Sequence, residues 1–259
     1  MRVLLRVEYK GTAYCGWQRQ KNGLSVQEVL ANAVRETTGE ASVMHGSGRT
    51  DAGVHAMGQA VHFDTHTSIP MEKLPIAINA HLPETVRVLS AREVDPTFNA
   101  RFDALSKTYL YKLYVAPVSS PLREGLFAFV HKRPDAAEMR RAASYLLGEH
   151  DFKVFQAAGG HVKTTVRKIT SFAIREEGDE ISFEVTGNGF LYNMVRIMVG
   201  TLYYVGIGKI RAEEIPEILS SGKRDRAGKT MPPEGLYLKE VKYPFDLEGS
   251  DRQSAPSAP

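Results

Sequence analysis

The chain has 259 residues, 42% hydrophobic and 24% charged, with a formal net charge of +3, which is the composition of a soluble globular protein of one large domain or two ordinary ones. Its one cysteine, Cys15, excludes an internal disulfide and a cysteine-built zinc site and fits a reducing compartment. No stretch approaches the length of a membrane span, so a cytoplasmic protein is expected, and the mild positive charge permits a nucleic-acid partner without requiring one.

The first ten residues, MRVLLRVEYK, carry no long apolar region before a small-residue cleavage site; Arg2 to Tyr9 reads as a strand rather than a signal peptide. The glycine-rich, aromatic stretch GTAYCGWQRQKNG that follows reads as a loop. Ser25-Val26-Gln27-Glu28 is a capping-box pattern, and Val26, Val29, Leu30, Ala33 and Val34 keep helical spacing up to Thr37, with Gly39 to end the helix. Gln59 to Thr65 alternates as a strand, with Ala60, His62 and Asp64 on one face. Helices are expected over 70–82, 135–147, 192–205 and 212–219, and strands over 85–94, 100–116, 166–175, 181–186 and 235–243. Strand–helix–strand–strand runs occur in both halves, which predicts an α+β fold of two similar subdomains. The boundaries expected are 1–103 and 104–246, with a small, polar, proline-bearing tail at 247–259 expected to be disordered.

Four stretches carry chemistry. In Gly48-Arg49-Thr50-Asp51-Ala52-Gly53, a carboxylate sits on a glycine-flanked turn before a strand, with Arg49 close enough along the chain to pair with it or to hold a phosphate. A cation beside Asp51 would keep it ionised and nucleophilic; spacing alone favours an Asx-turn or helix-cap role instead. In SKTYLYKLYV, Tyr109, Tyr111 and Leu113 share one strand face, either as a stacking platform for a nucleobase or as a core stripe, with Lys107 and Lys112 interleaved. Arg196 lies inside the apolar run GNGFLYNMVRIMVGTLYYVG, where a guanidinium needs a partner or must reach solvent; Asp51 is a candidate partner. Two basic stretches, His161 to Lys168 and Gly222 to Lys229, offer cations to phosphates or to water. The crowd of His45, Asp51, His55, His62, Asp64 and His66 also allows a metal site, although its spacing matches no zinc pattern.

Taken together these stretches resemble the TruA family of tRNA pseudouridine synthases over nearly the whole chain. YKGTAYCGWQRQ and GRTDAGVHAMGQAVHF carry the strongest likeness, and FNAR, KTYLYKLY, GEHDF, the Arg167 segment, GNGFLYNMVR and PPEGLYL follow in the family's order. Lys10, Asn99, Lys153, Val154 and Met231 depart from the usual pattern. The resemblance implies Asp51 as the catalytic nucleophile, Arg196 as its ion-pair partner, and Tyr109 against the target uracil. It implies that Arg49 helps extrude the nucleotide and that Leu236 lines the pocket. It further implies two ferredoxin-like (RRM-like) subdomains whose antiparallel sheets, flanked by helices, meet at a basic cleft. The expected protein is a homodimer without cofactor or metal. Its expected reaction isomerises uridine at positions 38, 39 and 40 of the tRNA anticodon stem-loop, with the base flipped out of the stack. Two rivals remain beside it: a catalytically silent RNA-binding protein with an RRM-like sheet, and a metal-dependent hydrolase using the histidine and aspartate cluster.

Overall fold

The computed structural model describes residues 1–21, 23–160, 162–245 and 247, so the tail expected at 247–259 lies, apart from Leu247, outside the described residues. Strand β1 (Arg2–Tyr9) buries Val3, Leu5, Val7 and Tyr9 at every second position, which puts them on one face of a pleated strand. Helix α1 (Val26–Thr38) begins where Ser25 Oγ accepts from the Glu28 backbone N–H at 3.2 Å, and ends at Gly39, whose φ of 75° favours glycine. Only half of the expected capping box forms, because the Glu28 carboxylate lies 3.5 Å from Arg19 instead of reaching back. Then come β2 (His45–Gly46), β3 (His55–Asp64), α2 (Leu74–Asn79) and β4 (Val86–Val94).

The second half runs β5 (Ser106–Val115), β6 (Ala128–Val130), α3 (Ala136–Ser144), β7 (Gly148–Asp151), β8 (Val166–Glu177) and β9 (Glu180–Gly187). It closes with α4 (Met194–Gly206), α5 (Ile215–Ser221) and β10 (Leu236–Lys242). Asp135 caps α3 by accepting from the N–H groups of Ala137 and Glu138 at 2.8 and 3.1 Å. Ten residues of α4 are buried, as its nearly unbroken apolar run requires.

Three strand expectations need correction. β3 starts four residues earlier than its alternation suggests, because His55 and Ala56 are held by tertiary partners rather than by pattern. The strand expected from residue 100 starts at Ser106; Asn99 Oδ1 accepts from the N–H groups of Arg101 and Phe102 and turns the chain into a loop first. The short β2, β6 and β7 were too brief to register as periodic runs.

All ten strands among the described residues form one mixed sheet, in the order β4-β1-β3-β10-β5-β9-β8-β7, with β2 on β3 and β6 on β5. The two separate antiparallel sheets expected from the sequence are therefore joined. The join is the parallel pairing of β3 with β10, His55 opposite Tyr237 and Ala56 opposite Leu238, while β2 takes the other end of the same β3 edge at Val61 and His62. The first half runs strand–helix–strand–strand–helix–strand, and the second follows the same order once β6, β7 and α5 are set aside as additions, with antiparallel neighbours in the spatial order fourth-first-third-second: β4-β1-β3-β2 and β10-β5-β9-β8. A continuous core runs through both halves, including Leu30, Phe63, Ile78, Tyr111, Phe155, Phe183 and Met198, each side chain of which stabilises by about 1.5–3 kcal/mol on burial. No helix among the described residues is long and apolar enough to cross a membrane.

Candidate active site

The loop between β2 and β3 is fixed before it presents any chemistry. Trp17 N–H donates to Thr50 O at 3.0 Å, and the Tyr9 hydroxyl shares a buried 2.7 Å hydrogen bond with Thr50 Oγ1. Gly16, at φ 105°, lets that strand of contacts close: a Cβ there would sit 2.6 Å from Thr50 O. On the other side, Ser47 Oγ donates to Gln59 Oε1 at 2.6 Å in a buried bond, and Gln59 Nε2 donates to Gly48 O at 2.9 Å in a half-buried one. Asp51 is thus carried on a turn held at both ends.

The Asp51 carboxylate faces Arg196, with Oδ2 3.6 Å from Nη1; their side chains are 27% and 14% exposed. The cap alternative is not realised, since no backbone N–H among the described residues donates to that carboxylate. Arg196 stands in the first turn of α4. Its Nε donates to Met231 O at 2.7 Å and its Nη1 to Asn193 Oδ1 at 2.6 Å, so the guanidinium is aimed before it meets the aspartate. Asn193 takes φ 59°, the left-handed region, which costs a non-glycine residue about 1–2 kcal/mol and which asparagine tolerates best. Burial pushes the Asp51 carboxyl above its ordinary range, and Arg196 pulls it partly back. The balance is a poorly hydrated carboxylate beside one cation, suited to nucleophilic attack.

Tyr109 lies on the face of β5 that points at this pair. It is buried, its ring meets Phe190 edge-on at 5.0 Å, and burial together with the charges of Tyr9 and Asp51 holds its phenol well above the usual range, so it stays neutral. Leu236 is buried opposite Tyr111, whose hydroxyl donates to Pro232 O at 2.8 Å and so steadies the segment that offers Met231 O to Arg196. Arg49 is exposed and its Nε donates to Gln18 at 3.1 Å; it does not pair with Asp51. The structure thus sets Asp51 against Arg196 with Tyr109 near enough to feel the carboxylate's charge, places Leu236 one strand over opposite Tyr111, and turns Arg49 to Gln18.

A model of the tRNA pseudouridine synthase family matches residues 6–103 and 142–244. The chain belongs to that family. It is similar to tRNA pseudouridine synthase A of Acetivibrio thermocellus, 48% identical over 93% of this chain and 99% of that one. It is likewise similar to tRNA pseudouridine synthase A of a Thermoanaerobacter species, 46% identical over 93% and 99%. Among solved structures, one of an H/ACA RNP bound to a substrate RNA containing 2'-deoxyuridine aligns with a TM-score of 0.41 at 12% identity, over 92% of this chain and 47% of that one. As a member of a pseudouridine synthase family, the protein is an isomerase that acts on uridine in tRNA.

The histidines of this synthase are engaged in ways the sequence did not disclose. His55 Nδ1 accepts from Gly11 N–H at 3.0 Å, so its Nε2 carries the hydrogen and donates to Glu234 O at 3.1 Å. Burial, with Lys10 and Lys112 nearby, lowers it to about 4. His62 Nδ1 accepts from Ala100 N–H at 3.1 Å while its ring stacks on His45 at 4.8 Å, and burial lowers it to about 4 as well. Asp64 pairs with Arg2 at 2.8 Å. No three of the described histidines, aspartates, glutamates and cysteine gather where a metal ion could sit. Of the basic stretches, Arg224 and Arg226 are spent on Gly228, Thr230 and Glu217, and Arg167 on Thr164 and Val166 carbonyls; His161 lies outside the described residues. Gln59 and Asn193 are the contacts sequence reading passed over, and Lys107, read only as a basic residue interleaved in its strand, holds Ser47 O. Gln59 had a signal: it shares the buried face of β3 with Val61 and Phe63, where a polar side chain must have partners. A groove of about 730 Å³ lined by Arg6, Met57, Lys239 and Phe245 holds none of the site residues.

Proposed function

We propose that the protein converts uridine to pseudouridine at positions 38, 39 and 40 of the tRNA anticodon stem-loop, with Asp51 as nucleophile. The observation that carries this reading is the Asp51–Arg196 pair set beside the buried ring of Tyr109. The target base is flipped from the stack, at a cost of a few kcal/mol. Stacking against Tyr109 returns about 1–3 kcal/mol, and Leu236 closes the apolar side of the pocket. Arg49, exposed at the rim, enters the space the base vacates. The N1–C1′ bond breaks, the uracil turns, C5 bonds to C1′ and gives up its hydrogen as a proton, and N1 takes one up. Atoms and electrons balance without water, oxidant or reductant, so the reaction calls for no cofactor and no metal.

Residues 1–103 and 104–246 are read as two ferredoxin-like subdomains, a reading supported by the strand order repeated in each half. The working unit is read as a cytoplasmic homodimer, with tRNA contacting both chains. The test is tritium release from tRNA carrying 5-tritiated uridine, with wild type and Asp51→Asn side by side. Release by wild type alone supports the assignment. No release by either protein, with tRNA still bound, would move the reading to a silent RNA-binding protein. Mapping the modified positions in the product decides the anticodon-arm assignment.

A further inference from the structure

Lys107 occupies an unusual position for a lysine. It lies on the same face of β5 as Tyr109, about 7 Å along the strand, and points at the other end of the Asp51 loop. Its Nζ donates to Ser47 O at 2.5 Å and stands only 3.2 Å from where a Cβ on Gly48 would be. An ammonium has three donors. Among the described residues Ser47 O is the one acceptor Lys107 finds, and no carboxylate comes within ion-pair distance of it. The charge that acts on it is another cation, Arg101, six residues back along the chain: burial first, and then Arg101, lower it to about 8. Arg101 is exposed on the loop turned by Asn99, its guanidinium 5.5 Å from the Phe102 ring, and the loop's carboxylate, Asp103, accepts from Asn99 N–H. A half-buried ammonium with one acceptor and no anion is unfavourable in the free protein. It becomes favourable when an anion arrives to take its remaining donors.

We propose that Lys107 and Arg101 form a phosphate-binding subsite that takes one backbone phosphodiester of the RNA next to the flipped uridine. The site rests on the reading above that the substrate is tRNA. The absence of a Cβ at Gly48 leaves the ammonium open from the loop side, and the lysine's existing bond to Ser47 O ties phosphate binding to the loop that carries Asp51. Tyr109 and Lys107 then hold base and backbone from one strand: the ring takes the uracil and the ammonium the phosphate, in the fixed spacing of alternate residues.

The test measures the dissociation constant for unmodified tRNA at several KCl concentrations, with tritium release measured alongside. Each neutralised phosphate contributes about 0.7–0.9 to the slope of log affinity against log salt. Lys107→Met and Arg101→Gln should each make the slope shallower by up to that amount, and Lys107→Arg should restore it. Lys107→Met should also lower kcat through the Ser47 tie, whereas Arg101→Gln, at an exposed position, should act chiefly on KM. A slope unchanged in both variants, whatever happens to the rate, overturns the phosphate subsite and leaves Lys107 a brace for the loop. Arg101→Gln keeps the test decisive if Lys107→Met fails to fold. Wild type that binds tRNA but releases no tritium would instead refute the pseudouridylation reading, and the slopes would still decide the subsite.

Discussion

Replacing Arg196 by methionine isolates what the guanidinium does, because a methionine fills much of its volume without its donors. Three groups lose a partner: Met231 O at 2.7 Å, Asn193 Oδ1 at 2.6 Å and the Asp51 carboxylate at 3.6 Å. Hydrogen bonds to a charged group are worth about 1.5–3 kcal/mol each, and part of the loss returns as apolar burial of the new side chain. A net destabilisation of roughly 3 kcal/mol is expected, which for a chain of this size lowers Tm by roughly 6–12 °C. Asp51 also loses the one cation that draws its carboxyl down, so the acid limb of the pH–rate profile should move to higher pH in whatever activity remains. Thermal unfolding by circular dichroism gives the first quantity, and tritium release from pH 5 to 8 gives the second. A variant with wild-type Tm and an unmoved acid limb would show that the pair is incidental and that Asp51 is tuned by other means.

Three further outcomes are expected. Asp51→Asn should abolish turnover yet leave Tm at pH 7 equal or higher. The folded protein holds this carboxyl above its unfolded range, so its charged form is penalised at neutral pH, and the penalty fades as pH falls through the folded value; a clear drop in Tm would restore a structural role. Gly16→Ala places a Cβ 2.6 Å from Thr50 O at φ 105° and should cut kcat by roughly tenfold to a hundredfold through displacement of the Asp51 loop, while Gly39→Ala, at φ 75° with open space around it, should cost stability alone; equal kinetics in the two would refute the clamp. His55, lowered to about 4 in the fold against 6.5 unfolded, contributes stability that is complete above pH 6.5 and is lost as pH falls toward 4, about 3 kcal/mol in all; His55→Gln should flatten that part of the stability curve, and an unchanged curve in urea titrations would contradict the assignment.

The candidate site residues were legible in sequence for a local reason. Asp51, Tyr109 and Arg196 each sit in a stretch whose character is set by its own neighbours: a glycine-flanked turn, an aromatic alternation, an apolar run broken by one cation. The rule that a cation in such a run needs a partner made Asp51 one candidate for Arg196 and the family resemblance implied the pair, although 144 intervening positions give periodicity no way to find it. What sequence could not reach was decided by contacts between distant segments. Arg49 turns to Gln18 and away from its neighbour Asp51 because the loop after β1 packs across it. His55 reads as a metal-ligand candidate until Gly11 and Glu234 are brought to its two ring nitrogens. Lys107 reads as one more basic residue of a strand until Ser47 is seen to hold it. The single sheet was hidden for the same reason: two residue pairs of parallel ladder between β3 and β10 carry no pattern that either strand shows alone.

That short ladder explains why the candidate site belongs to neither half. The first half contributes Asp51 and Arg49, the second Tyr109, Arg196 and Leu236, and a carboxylate is useful to its cation only within a few ångströms. Parallel pairing at His55 and Ala56 begins four residues after Asp51, and its partner strand begins at Leu236, five residues after the Met231 carbonyl that aims Arg196. Any slip of β10 along β3 would therefore shift the cation against the carboxylate directly. His55 guards against this from both sides, receiving Gly11 N–H from the first half and donating to Glu234 O in the second, with Tyr237 stacked on its ring at 4.5 Å. A neutral imidazole is required for that pair of bonds, since Nδ1 must accept and Nε2 must donate. The depressed titration of His55 is thus part of how the candidate site is kept in register: the ring that joins the two halves stays neutral well below neutral pH.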